Sequence, residues 1–78
     1  MLKVNIEMTD TFGGEANYSW CKRKTITVAE GISSRALIRR CKKEMEVYDR
    51  HKKSDFGDMI RLDFSPGWLA VMFITYDY

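Results

Sequence analysis

The sequence contains few of the residues that cross-link small proteins or bind metal ions. Its 78 residues include two cysteines, Cys21 and Cys41, and one histidine, His51. Two cysteines can form at most one bridge, so the chain cannot be a disulfide-framework protein. No second histidine and no close pair of cysteines is available to complete a zinc-binding cluster. We therefore expect free cysteines, no metal site and no cofactor.

Long apolar runs and targeting signals are also missing. The longest uncharged apolar run, residues 68–76, is much shorter than the roughly 20 residues that cross a bilayer as a helix. No signal peptide is recognisable at the N-terminus. These observations predict one domain over residues 1–78 in a reducing cytoplasm, with no membrane contact.

Acidic residues are scarce in the middle of the chain, although the net charge of the whole chain is only +2. Residues 22–53 hold eleven lysines and arginines against four acidic residues, so this segment is basic and the remainder is acidic. A dipolar protein of this kind can dock on an anionic surface through its basic part. The charge distribution therefore favours a binding function for the middle segment.

Two strands are predicted in the first third of the chain. Residues 2–9 alternate between apolar and polar side chains, as a half-buried strand does. The glycine pair at 13–14 can adopt positive φ and indicates a turn. A second strand is expected at about residues 17–28. Lys22 and Lys24 interrupt its apolar face, so we predict that residues 22–24 are exposed, at a bulge or beyond the core.

A single helix follows, from Ser33 to about Asp49. The Ser33 hydroxyl can accept a hydrogen bond from a backbone N–H of the first turn, which is typical of an N-cap. At 100° per residue, one stripe of side chains faces the core: Ser34, Leu37, Ile38, Cys41, Met45 and Tyr48. The opposite face is solvated and largely basic.

The last third of the chain predicts two more strands, at residues 58–65 and 68–76, after a polar connection at 51–57. The expected fold is therefore α+β, with chain order ββαββ and one helix packed on one face of a four-stranded antiparallel sheet. The final strand is apolar on both faces, yet one helix covers only one face of a sheet. The open face is therefore a candidate interface for a homodimer or a partner protein, unless loop residues such as Phe12 cover it.

No catalytic constellation can be assembled from the sequence. His51 lies in a basic linker, with no serine or cysteine placed to use it as a base. Asp55, Asp58 and Asp63 do not have the spacing of a metal-binding loop. We therefore predict that the protein is not an enzyme and acts by binding.

Nucleic-acid binding is one of two functions that the sequence favours. Phosphates could be neutralised by six basic residues of the second strand and the helix: Lys22, Arg23, Lys24, Arg35, Arg39 and Lys43. Tyr18 and Trp20 precede the basic run and could stack on bases. The alternative is an ordinary solvated helix face with internal ion pairs, because Lys42, Glu46 and Arg50 follow one another at i, i+4 spacing.

Three segments of the chain resemble a known group of proteins. They are residues 9–20 (TDTFGGEANYSW) with the basic run that follows, residues 57–60 (GDMI) and residues 72–75 (MFIT). Over most of its length the chain resembles a family of small proteins encoded by bacteriophages and mobile elements of proteobacteria. The resemblance implies a bacterial host cytoplasm and an accessory role during infection, such as the inhibition of host defence by anti-CRISPR proteins. It implies no catalytic residues.

The second function combines this resemblance with the residues near the first turn. Phe12, Glu15, Tyr18 and Trp20 are predicted to be exposed, and aromatic side chains beside a glycine turn are good interface anchors. The basic helix face would orient the partner and accelerate its association. The expected partner is a host protein or protein–nucleic acid complex, such as a CRISPR–Cas system.

Overall fold

The computed structural model describes residues 1–65 and 67–77 of the chain. It contains one helix and five strands, in the order β1 (Leu2–Phe12), β2 (Glu15–Val28), α1 (Ser34–Glu44), β3 (Lys52–Asp55), β4 (Met59–Asp63) and β5 (Ala70–Asp77). The strands form one antiparallel sheet of order β2-β1-β5-β4-β3. The predicted α+β class with one helix is therefore confirmed. None of the described residues belongs to a helix long and apolar enough to cross a membrane.

The number of strands differs from the prediction. The sequence predicts a connection at residues 51–57, but Lys52–Asp55 pair with β4 and form the edge of the sheet. All four side chains of β3 are exposed, so no apolar alternation marks the strand. Its place in the sheet is defined by backbone pairing with β4. The chain order is therefore ββαβββ with five strands, and the predicted ββαββ order with four strands is wrong.

The core lies between α1 and one face of the sheet. Alternate residues of the central strands β1 and β5 are almost completely buried there, among them Ile6, Met8, Met72 and Ile74. Burying an aliphatic side chain of this size stabilises the fold by about 1.5–3 kcal/mol. Cys41 lies on the inner face of α1, where burial raises the pKa of its thiol to about 12. The thiol therefore stays protonated and packs as a small apolar group.

The helix begins where the sequence predicts but ends early. The Ser33 hydroxyl accepts a hydrogen bond from the Ala36 N–H at 3.2 Å, which confirms the N-cap. Helix α1 ends at Glu44, and Glu46 then adopts the left-handed region with a φ of 56°. The chain reverses at this point, and the Val47 N–H donates back to the Lys42 carbonyl at 2.8 Å.

This reversal exchanges the roles of two neighbouring side chains. A helix continued to Asp49 would turn Tyr48 towards the core, as the periodicity predicts. In the structure Val47 takes the buried position at 4% exposure, whereas Tyr48 is 81% exposed. The predicted helix end at Asp49 and the predicted burial of Tyr48 are therefore both wrong. The backbone leaves the helical path at Glu46, before it reaches Tyr48 and Asp49.

The β1–β2 hairpin bends over the sheet face that α1 leaves open. The register of the two strands shifts between Thr9 and Thr11. At the tip, Arg61 of β4 donates a hydrogen bond to the Gly14 carbonyl at 3.0 Å. The Arg61 guanidinium lies beside Phe73 of β5, so this bond holds the hairpin tip near β5. Val71, which points to the open face, is completely buried.

The remainder of the open face is polar at its centre. Arg23, Glu7, Phe73 and Arg61 form one row across β2, β1, β5 and β4. Arg23 donates to the Glu7 carboxylate at 2.8 Å, and the guanidinium carbon of Arg61 lies 5.8 Å from the Phe73 ring centroid. The open face is therefore not the continuous apolar surface that the last strand predicts. The homodimer through this face stays a prediction.

The exchange of Val47 and Tyr48 gives a test of the fold. Val47→Ala should lower the free energy of unfolding by about 2 kcal/mol, because it removes two buried methyl groups. Tyr48→Ala, one residue further, should change the free energy of unfolding by less than about 0.5 kcal/mol. Urea denaturation of the two variants measures both values. A larger loss in Tyr48→Ala than in Val47→Ala would contradict the chain reversal.

Candidate anion-binding site

A basic groove lies between α1 and the edge strand β3. It encloses about 630 Å³ and is lined by eight residues: Arg35, Ile38, Arg39, Lys42, Val47, Tyr48, His51 and Lys53. Two of these, Ile38 and Val47, belong to the hydrophobic core and form an apolar floor. The volume lies within the range of about 300–1,000 Å³ that is typical of small-molecule sites. We call this surface the basic groove.

Three elements bring the positive side chains of the basic groove together. Arg35, Arg39 and Lys42 follow one another at spacings of four and three residues, so they share one face of α1. His51 comes from the segment between α1 and β3. Lys53 pairs with Leu62, a core residue, and therefore projects from β3 on the same side of the sheet as the helix.

The charge of the basic groove is not balanced by its own lining. Two arginines, two lysines and one histidine line it, and none of the eight lining residues is acidic. Positive charges in a concave surface with an apolar floor raise the local potential, because less water is present to screen them. Chemically, the arrangement is suited to holding an anion with several oxygen atoms, such as a phosphate.

The other flank of α1 differs in this respect. There the Glu44 carboxylate forms ion pairs with Lys24 at 2.8 Å and with Arg40 at 2.9 Å. The hydrogen bonds from Lys24 and Arg40 lower the pKa of Glu44. The same helix therefore has one flank with internal charge compensation and one without it, and only the second borders the basic groove.

The six predicted nucleic-acid-binding residues are divided by the fold. Arg35 and Arg39 line the basic groove. Arg23 and Lys24 are exposed, as predicted, but they are paired with Glu7 and Glu44. The remaining two residues are exposed outside the basic groove: Lys22 and Lys43. The predicted helix pairs through Glu46 do not form, because α1 ends before that residue, and the i, i+4 pair is Arg40–Glu44 instead.

Four further polar residues of the basic groove are not among the six predicted nucleic-acid-binding residues. Lys42 follows Arg35 by seven residues and could have been added from helix periodicity alone. Tyr48, His51 and Lys53 had no such signal. Their positions depend on the chain reversal at Glu46 and on the pairing of β3, which leave no pattern in the side chains.

Lys42 links the helix to the segment that follows it. Its ammonium donates to the Asp49 carbonyl at 2.7 Å and lies 3.1 Å from Nδ1 of His51. An ammonium can only donate, so this contact makes Nδ1 the acceptor and places the proton of neutral His51 on Nε2. Partial burial, together with the positive charges of Lys42 and Lys53, lowers the pKa of His51. The site therefore disfavours a further positive charge while no anion is bound.

The four predicted partner-binding residues do not form one surface. Phe12 is 78% exposed and pairs with the exposed Glu15 at the end of the hairpin. Tyr18 is exposed on the open sheet face, where its hydroxyl donates to Glu7 at 2.9 Å. Trp20 is only half-buried rather than freely exposed, because it packs against the core and stacks on Trp68 with ring centroids 6.0 Å apart.

Local hydrogen bonds explain the unusual backbone of Tyr18, which has a φ of 57°. The Thr9 hydroxyl accepts from the Tyr18 N–H, and Asp10 accepts from the Ser19 N–H, both at 2.8 Å. The bonds from Ser19 and the Asn17 amide lower the pKa of Asp10. These contacts hold the bulge and aim the Tyr18 ring at Glu7, so the predicted interface residue Tyr18 also has a structural role.

Similarity to known proteins does not indicate the role of these surfaces. Comparison of the chain with protein-family models, with curated protein sequences and with solved structures gives no significant match. Within residues 1–65 and 67–77, no group of three or more His, Cys, Asp or Glu residues is placed to hold a metal ion. The resemblance to phage-encoded proteins stays a prediction.

The single histidine provides a test of the electrostatics of the basic groove. We expect His51 to have a pKa below its ordinary value of about 6.5, as measured by a nuclear magnetic resonance titration. As the pH falls, the unfolded chain then takes up this proton before the folded chain does. The stability that neutral His51 contributes to the folded state is therefore present above about pH 6.5. It is lost as the pH falls through the pKa that His51 has in the folded protein.

Between about pH 7.5 and 5.5, His51→Gln should therefore lose less unfolding free energy than the wild type. Adding pyrophosphate should raise the pKa of His51, because a bound anion offsets the charges of Lys42 and Lys53. A His51 pKa at or above its ordinary value without any added anion would contradict this description.

Proposed function

We propose that the protein binds nucleic acid, with phosphate groups held in the basic groove. The observation that supports this function is the convergence of Arg35, Arg39, Lys42 and Lys53 around one cavity with no acidic lining residue. Nucleic acid is the common cellular polyanion whose phosphates repeat at short spacing along a chain, and several cations in one groove match such a repeat.

An ordinary solvated helix face is a poorer explanation of the basic groove. On the opposite flank of α1, Glu44 balances two cations, as expected for a surface that only has to be soluble. Around the basic groove, by contrast, like charges from α1 and β3 lie together. Such an arrangement is unfavourable for the free protein, and it becomes favourable when an anion occupies the cavity.

The residues of the basic groove would have different tasks. Arg35 and Arg39 offer planar guanidinium groups that can donate two hydrogen bonds to one phosphate, whereas Lys42 and Lys53 act as point charges. The apolar floor of Ile38 and Val47 keeps water away from one side of the bound group and strengthens these interactions. Release of counterions from the nucleic acid would contribute much of the affinity.

This function is compatible with the role that the resemblance implies. A host defence complex that contains a guide or target nucleic acid would present the ligand that the basic groove fits. In this proposal the protein is a non-enzymatic accessory protein that acts on such a complex by occupying or competing for its nucleic acid.

A charge-matched pair of variants tests the function. Fluorescence anisotropy should show binding of a labelled oligonucleotide that weakens steeply with salt. Arg39→Gln should weaken binding by about tenfold or more, since a hydrogen bond to a charged group contributes roughly 1.5–3 kcal/mol. For a single strand, the slope of log K against log salt should become shallower by about 0.7 for each phosphate that the variant no longer neutralises.

Arg40→Gln is the control for this experiment. It removes the same charge from the same helix, but its guanidinium pairs with Glu44 on the other flank. We expect its affinity to stay within about twofold of the wild type. No binding at low salt would overturn the proposed function, and equal losses in both variants would show that the basic groove is not the site.

A second candidate function, binding of a host protein, is favoured by apolar side chains at one end of the sheet. Phe12 is 78%, Leu69 60% and Trp68 37% exposed. The Thr11 N–H donates to the Leu69 carbonyl at 3.0 Å, so these side chains lie at the same end. Large exposed apolar side chains at one end of a molecule often mark protein interfaces. We call this surface the hairpin end.

The hairpin end can be tested by retention of host proteins on the immobilised chain at moderate salt. The double variant Phe12→Ser, Leu69→Ser should fold normally and lose a protein that the wild type retains from a bacterial lysate. Phe56→Ser is the control, because Phe56 is 60% exposed in the turn between β3 and β4. If the double variant retains as much host protein as the wild type does, the hairpin end is excluded as the interface.

A further inference from the structure

Tyr48 is the feature of the basic groove that phosphate binding alone does not explain. It lines the cavity together with the positive side chains and remains 81% exposed. The helix periodicity would bury this ring, and the left-handed backbone at Glu46 instead turns it outward. A large aromatic side chain at the rim of a cationic cavity is the combination that single-stranded nucleic-acid sites use, because bases stack on the ring while cations hold the backbone.

We infer that the basic groove takes single-stranded nucleic acid, with one base stacked on the Tyr48 ring and the successive phosphates beside it held by Arg35, Arg39 and Lys42. This inference rests on the proposed function and names its ligand class. In a duplex the bases are already stacked on each other, so their faces are not available to Tyr48. A single strand can turn one base out of its stack at a lower free-energy cost.

The geometry of α1 supports the division of roles within the site. Arg35 and Arg39 are one helical turn apart, and Lys42 lies almost one turn further on, so the three cations form a line along the helix. Val47 packs beneath the rim and fixes the backbone that carries Tyr48. A strand that follows the line of cations therefore passes the ring at one end of its path.

The decisive comparison is between two ligands that differ only in their bases. Anisotropy would be measured with a labelled single-stranded oligonucleotide and with an abasic oligonucleotide of the same length and phosphate number. Stacking of one base on an aromatic side chain changes affinity by about 5- to 150-fold. The wild type should therefore prefer the strand with bases by a factor in this range, and should bind the matching duplex more weakly than the single strand.

Three variants assign the preference to the ring. Tyr48→Ser should bind the strand with bases no better than the abasic strand. Tyr48→Phe should retain the wild-type preference, since the ring face and not the hydroxyl makes the contact. Phe56→Ser, which alters a comparably exposed ring outside the basic groove, should also behave as wild type.

The outcomes separate this inference from the function on which it rests. Equal wild-type affinity for the two strands, or an unchanged preference in Tyr48→Ser, would overturn the stacking role and leave phosphate binding intact. Tighter binding of the duplex than of the single strand would overturn the ligand class. Failure of the wild type to bind either strand at low salt would overturn the proposed function itself.

Discussion

The left-handed backbone at Glu46 is the constraint on which the candidate site depends. Helix α1 would otherwise continue along the sheet, and its basic face would remain a convex, solvated stripe. Because the chain reverses there, Val47 enters the core and anchors the segment that leads to β3. The return of the chain beside the helix creates the concavity, and the edge strand then supplies Lys53 from the opposite wall. A non-glycine residue in this region is uncommon and unfavourable, so the packing of Val47 must compensate for it.

The second organising feature is the bend of the β1–β2 hairpin. A sheet with one helix leaves a face without cover, and here the chain covers part of that face with its own first hairpin. The hydrogen bonds of Thr9 and Asp10 hold the bulge that makes the bend possible. The same bend carries Phe12 to the hairpin end and separates it from Tyr18. The predicted partner-binding residues therefore lie on different parts of the molecule.

Features that depend on local sequence were predictable, and those that depend on long-range pairing were not. The alternation of β1, the cap at Ser33 and the turn at Gly13 and Gly14 each follow from neighbouring residues, and the structure contains all three. Strand β3 could not be predicted, because its exposed side chains carry no pattern and only its backbone pairs with β4. The end of α1 was missed because no glycine or proline marks it.

The candidate site shows the same division. Arg35 and Arg39 were predicted, since they lie on a helix whose periodicity is clear. Lys53, His51 and Tyr48 belong to the site only because β3 lies beside α1, which is a property of the whole fold. The distribution of charge along the chain indicated the segment that contains the basic groove. The charge distribution could not distinguish the flank of α1 whose cations pair with Glu44 from the flank whose cations have no acidic neighbour in the basic groove.

The positions of β2 and β3 at the two edges of the sheet also bear on solubility. An edge strand presents unpaired N–H and C=O groups that another chain can extend into a larger sheet. Here both edges carry consecutive cations, at residues 22–24 and 52–53, and the bulge at Tyr18 distorts the longer edge. Edge-to-edge growth would therefore bring like charges into contact along strands that cannot lie flat. The lysines of β3 thus have two effects: Lys53 lines the basic groove, and the pair places positive charge on an exposed edge, which disfavours pairing with another edge strand.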